Sequence, residues 1–177
     1  MDRYESVKKA SILGLIANIF LLILKGTIGL MTNSMAMLAD ASNSATDIFS
    51  SFMTLIGNKI ASSPADEDHN LGHGKAEYIY SLLISIVMIV LGLTVLIDSI
   101  QSLWIREHFH FSLGLIVVAI ITIIIKFILY LYTDFISKKQ NNLLIKANSK
   151  DHGNDCLIPT LNLFAINLAY FNIYFID

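Results

Sequence analysis

Apolar residues fill this chain in five long runs, and short polar stretches separate them. The runs cover residues 10–31, 35–60, 76–104, 112–136 and 151–175. The first ends in the turn-like MTNS. The second is laced with Ser, Asn and Asp. Between the later runs lie ASSPADEDHNLGHGK, IREHFHF and the basic connector SKKQNNLLIKANSK. Apolar runs of about 18 residues or more read as transmembrane helices. The pattern predicts an all-α integral membrane protein with five transmembrane helices. No second, soluble domain and no low-complexity linker is expected. The first run is too long for a signal-peptide core and no small-residue cleavage site is obvious, so it is read as a membrane helix.

Composition agrees. Hydrophobic residues make up 55% of the 177 positions and charged ones only 15%, against about 25% in soluble domains. The mean hydropathy is +0.65. A single cysteine, Cys156, excludes an internal disulfide framework and a multi-cysteine zinc knuckle. The distribution of Lys and Arg says more than the net charge of −2. Arg3, Lys8, Lys9, Lys59, Lys75, Lys138, Lys139, Lys146 and Lys150 fall on one side of the five spans, and only Arg106 on the other. By the positive-inside rule the N-terminus and the two longer polar loops are cytoplasmic and the final YFID is outside.

Carboxylates inside the apolar runs are the candidate chemistry. An aspartate at the centre of a membrane helix costs about 2.5–3.5 kcal/mol on insertion scales. The second run carries Asp40, Asn43, Ser44 and Asp47, which share one helical face. Met35, Leu38, Ile48 and Phe52 make the other face apolar. A stripe so organised must face protein or water rather than lipid. The fifth run opens with Asp151 and Asp155, again four residues apart. If the two stripes meet, Asn43, Asp47, Asp151 and Asp155 converge. Three close carboxylates call for a cation. Oxygen ligands suit Mn²⁺ better than Zn²⁺, which prefers imidazole and thiolate. The plainer reading gives Ser34, Ser42, Ser44, Ser50 and Ser51 to interhelical hydrogen bonds. It pairs a lone Asp with Lys25 or Lys126, Lys126 with Asp40 among the options. Lys25 is otherwise expected to snorkel to the outer interface. His152 is a possible proton carrier pointing off the ligand face, and Cys156 a small packing residue. Asp98 is expected at the outer interface, and His108 and His110 there or in solvent.

The loop between the second and third runs holds Asp66, Asp68, His69 and His73. Two loop histidines are commonly just solvated. Together with a carboxylate they also suit zinc or another transition metal.

SMAMLADASNSATDIFSS, HNLGHGKAEYIYSL and LLIKANSKDHGND, in this order and spacing, resemble the second, third and fifth helices of the cation diffusion facilitators. That family consists of divalent-metal/proton antiporters, and the likeness covers residues 5–157. It implies a transport site on Asn43, Asp47, Asp151 and Asp155. It also implies a secondary loop site on Asp66, His69 and His73. Asn where zinc members have His or Asp is similar to the manganese-exporting branch. The resemblance further implies a homodimer of six-helix chains with a ferredoxin-like C-terminal domain. This chain is read as ending after its fifth helix, without the sixth helix or that domain. It also has Gly153 where the family has a basic residue. Its Pro159 deprives the carbonyl of Asp155 of a helical hydrogen bond.

The expected activity is therefore proton-coupled export of Mn²⁺, with Zn²⁺, Fe²⁺ or Co²⁺ as alternatives, across a bacterial cytoplasmic membrane. The metal is substrate, no cofactor is expected and no nucleic-acid partner. The alternative is a truncated, non-transporting membrane subunit, inert or paired with a full-length relative. An enzyme is disfavoured, because no HExxH helix, serine elbow or phosphate-binding glycine loop occurs.

Overall fold

The computed structural model describes residues 3–32, 35–65, 72–102, 113–157, 159–160 and 163. Five helices run through them: α1 (Arg3–Thr32), α2 (Met35–Ala61), α3 (Ala76–Ser102), α4 (Leu113–Gln140) and α5 (Leu143–Asn154). No strand occurs among the described residues. Helix α1 lies along α2 and also touches α4 and α5. Helix α5 packs on α4, α3 and α2, so it is held from several sides.

Among the described residues, three helices are long and apolar enough to cross a membrane: α1, the segment Ala76–Thr94 of α3, and α4. Helix α2 has the length, 27 residues, but the polar positions of its ADASNSATD segment lower its hydropathy. Their burial explains their presence. Ser44, Asp47, Ser50, Ser51, Thr54 and Asn58 all turn inward, whereas Phe49 and Phe52 face out. The whole bundle follows this inversion. Ile16, Ile23, Leu82, Leu93, Phe127 and Phe135 are exposed, while Lys25, Lys126, Asn18, Asn148 and His152 are fully buried. In water such a distribution would be unfavourable. In a bilayer it is the arrangement that keeps polar groups off lipid.

One end of the bundle is tied by Arg3. Its guanidinium pairs with Glu77 of α3 at 2.8 Å and donates to the carbonyls of Gln140 and Asn141. Just inside that end, Val7, Ala10, Ile136 and Ile145 form a buried apolar cluster against Tyr132.

The last helix corrects the sequence expectation. The stretch read as a basic connector is mostly helical, and α5 begins at Leu143 rather than at Asp151. Only Asn141 and Asn142 separate it from α4. Asn141 adopts a left-handed φ of 47°, which Asn tolerates better than most residues. Asn142 then caps α5, its side chain accepting from the backbone N–H of Ile145 at 3.1 Å. Lys146, Lys150 and Asn154 form an exposed stripe four residues apart, and Leu144, Ile145, Asn148 and Ser149 turn inward. So amphipathic a start carries no continuous apolar run. At the other end, regular α5 stops at Asn154, with Asp155 as its C-cap. Leu157, Pro159 and Thr160 are again helical. The interruption falls where Pro159 offers no N–H to the carbonyl of Asp155.

Candidate metal centre

The two carboxylate stripes meet. Asp47 of α2, Asp151 of α5 and Asp155 at the C-cap of α5 each bring an oxygen within 4.8 Å of the others. Asp47 and Asp151 are buried at 2% and 5% exposure. Asn43, one turn from Asp47, places its side-chain nitrogen 3.5 Å from Asp155 Oδ1. An amide also carries a carbonyl oxygen, so the same side chain, turned, offers an acceptor to a cation. All four residues named from the sequence thus surround one point between α2 and α5.

A fifth residue, from α4, completes the cluster. Lys126 Nζ lies 2.6 Å from Asp47 Oδ2 and 2.6 Å from Asp155 Oδ2, and the side chain is 1% exposed. The expected pairing of Lys126 with Asp40 does not occur. Asp40 is held instead by Lys25, at 2.9 Å, and Lys25 also donates to Ser44 at 3.0 Å. Nor does Lys25 snorkel outward, for it is 2% exposed. The two lysines were visible as intramembrane charges. Their partners were not, because pairing depends on the depth and rotation at which α1 and α4 pack on α2. Among the site oxygens, Asp151 Oδ2 is buried without a hydrogen-bond partner. With Lys126 in place the cluster sets one ammonium against three carboxyl groups.

The Cation efflux transmembrane domain model matches residues 11–177. The chain belongs to the cation efflux, or cation diffusion facilitator, family. Curated relatives agree. The magnetosome protein MamM of Magnetospirillum gryphiswaldense is 36% identical over 167 residues, 93% of this chain and 52% of that protein. The manganese efflux system proteins MneS and MneP of Bacillus subtilis are each 32% identical, over 100% and 95% of this chain and 62% and 56% of their own lengths. The chain therefore spans between about half and three fifths of the length of these relatives. It is an integral membrane member of a family of transporters, not of enzymes, and divalent metal cation efflux is what that family does.

The second cluster named in this cation efflux chain is only partly described. Asp66, Asp68 and His69 lie outside the described residues. His73 is described, with its Nδ1 3.2 Å from the carbonyl of Pro64. Asp98, as a side chain, and His108 and His110 also lie outside them.

The structure adds a polar neighbourhood that the sequence reading left unassembled. His152 is fully buried, with its Nε2 beside Gly14 of α1. A methyl placed on Gly14 would lie 3.4 Å from its Nε2 and 3.3 Å from Ser51 Oγ. Ser51 accepts from Asn18 at 3.3 Å. Cys156, half-buried, has its thiol 3.4 Å from the carbonyl of His152. At Gly153 of α5 a side chain would begin 3.1 Å from the ring of Tyr130. Here the glycine lets α5 seat closely on α4.

Proposed function

We propose that this protein exports divalent metal cations across a cytoplasmic membrane in exchange for protons, with Mn²⁺ favoured and Zn²⁺, Fe²⁺ or Co²⁺ as lesser substrates. The observation that carries the reading is the convergence of Asp47, Asp151 and Asp155 between two helices, with Asn43 at the rim. An all-oxygen set selects a hard cation over one that prefers nitrogen or sulfur. The names of MneS and MneP, as manganese efflux proteins, point the same way.

In this reading the metal binds Asn43, Asp47, Asp151 and Asp155 from the cytoplasm. Helices rock to move access outward. Protons returning to the carboxylates release the ion, since the ligands bind it only when deprotonated. Five spans with the N-terminus inside, a homodimeric assembly and a secondary loop site at Asp66, His69 and His73 complete the proposal. The bundle end tied by Arg3 is the cytoplasmic one.

The test is cellular manganese and zinc content in an exporter-deficient host expressing the parent chain or Asp47→Ala at equal membrane levels. The parent is expected to lower manganese severalfold more than zinc, and Asp47→Ala to abolish the effect. Equal metal content in the two strains would overturn the assignment.

A further inference from the structure

Lys126 is the one member of the cluster that repels a metal ion. Its ammonium lies 2.6 Å from one oxygen of Asp47 and 2.6 Å from one oxygen of Asp155, on two different helices. Oxygens bind Mg²⁺ at about 2.0–2.1 Å and the larger Ca²⁺ at about 2.3–2.6 Å, and Mn²⁺ is intermediate in size. An ion seated on the same two oxygens would stand next to the ammonium with nothing between them. The two cations therefore exclude one another from this position.

The remaining buried groups say where the ammonium goes. Thr122 lies four residues earlier on α4, on the face of Lys126. It is 1% exposed, and its hydroxyl is buried without a partner. A buried hydroxyl without a partner is uncommon in folded proteins. Side chains on a helix lean toward its N-terminus, so a lysine swinging off Asp47 and Asp155 sweeps toward Thr122. Lys25 offers the contrast. It holds Asp40, which is 31% exposed, and Ser44, and touches none of the three clustered carboxylates.

Resting on the transport reading above, we propose that Lys126 is a tethered cation that occupies the metal position of the empty carrier, yields it to the incoming ion by moving to Thr122, and returns after release. A mobile four-carbon stem suits this role. The returning ammonium pairs with Asp47 and Asp155, so the empty carrier does not hold two buried carboxylates without a cation, the condition that makes broken buried pairs costly.

Mn²⁺ affinity of the protein in nanodiscs, read by electron paramagnetic resonance, tests this directly. Lys126→Gln removes the competitor and keeps a polar side chain. It is expected to bind Mn²⁺ at least tenfold more tightly than the parent while net efflux slows. A merely structural lysine would give unchanged or weaker binding, and either result overturns the inference. Should Lys126→Gln fail to reach the membrane, Lys126→Arg decides. Its planar fork holds carboxylates in pairs, so binding severalfold weaker than the parent is expected, and equal or tighter binding overturns the inference. Thr122→Val is expected to weaken binding severalfold, and unchanged binding removes the resting position. No saturable binding by the parent, or equal binding by Asp47→Ala, overturns the transport reading itself and the inference with it.

Discussion

Lys25 and Asp40 show how a buried charge is maintained in this bundle. The lysine is 2% exposed and its carboxylate partner 31%. Removing one partner of a buried pair leaves an uncompensated charge and costs about 3–5 kcal/mol, whereas replacing both by apolar residues is much milder. Asp40→Ala is therefore expected to lower the thermal midpoint of the purified protein strongly, and Lys25→Met with Asp40→Leu to restore most of it. A double variant no more stable than Asp40→Ala would show that the lysine is not the stranded group. At this scale the sequence was informative about the carboxylates. Asp47, Asp151 and Asp155 stood out because intramembrane aspartates are costly and their spacing repeats. It was uninformative about Lys126, since nothing local to α4 says that this residue reaches Asp47 and Asp155 while Lys25 takes Asp40.

Among the elements, the long apolar helices were legible and the polar one was legible for a different reason. Helices α1, α3 and α4 announce themselves by high mean hydropathy. Helix α2 does so by a polar stripe with helical period. Helix α5 was misplaced at its start because Leu143–Asn154 is short and mixed, and its beginning is fixed by the Asn141–Asn142 turn rather than by hydropathy. How closely the elements approach depends on glycines whose effect is tertiary. At Gly57, where α2 meets α3, a Cβ would lie 2.7 Å from Tyr80 Cβ and 3.1 Å from Leu144 Cδ2. The nearest atom is the root of a side chain, which cannot swing aside. Gly57→Ala is expected to cost about 1–3 kcal/mol, the range for overpacking, despite the better helix propensity of alanine. A denaturant or thermal midpoint at or above that of the parent would mean that α3 shifts freely and does not fix the position of α2.

At the scale of the whole molecule, the basic residues and the apolar cluster lie toward the same end. Arg3, Lys59, Lys138 and Lys139 belong to the start of α1, the end of α2 and the end of α4, and Lys75 immediately precedes α3. Val7, Ala10, Ile136 and Ile145 fill the interior just below. From Ile145 to Asp155, and from Ile136 to Lys126, is ten residues, or about 15 Å of helix. The apolar cluster thus stands between the basic end and the carboxylates. The positive-inside rule predicts that this end is the cytoplasmic one, as the proposed topology requires. Labelling intact cells with a membrane-impermeant maleimide checks this orientation. With Cys156→Ser as background, a cysteine at Lys139, which is exposed at the basic end, is expected to react only after permeabilisation. A cysteine at Met31, 80% exposed at the opposite end of α1, is expected to react in intact cells. The reverse pattern would invert the topology. It would put the apolar cluster on the outer side, with the metal of an exporter then arriving rather than leaving through the face that Asn43 rims.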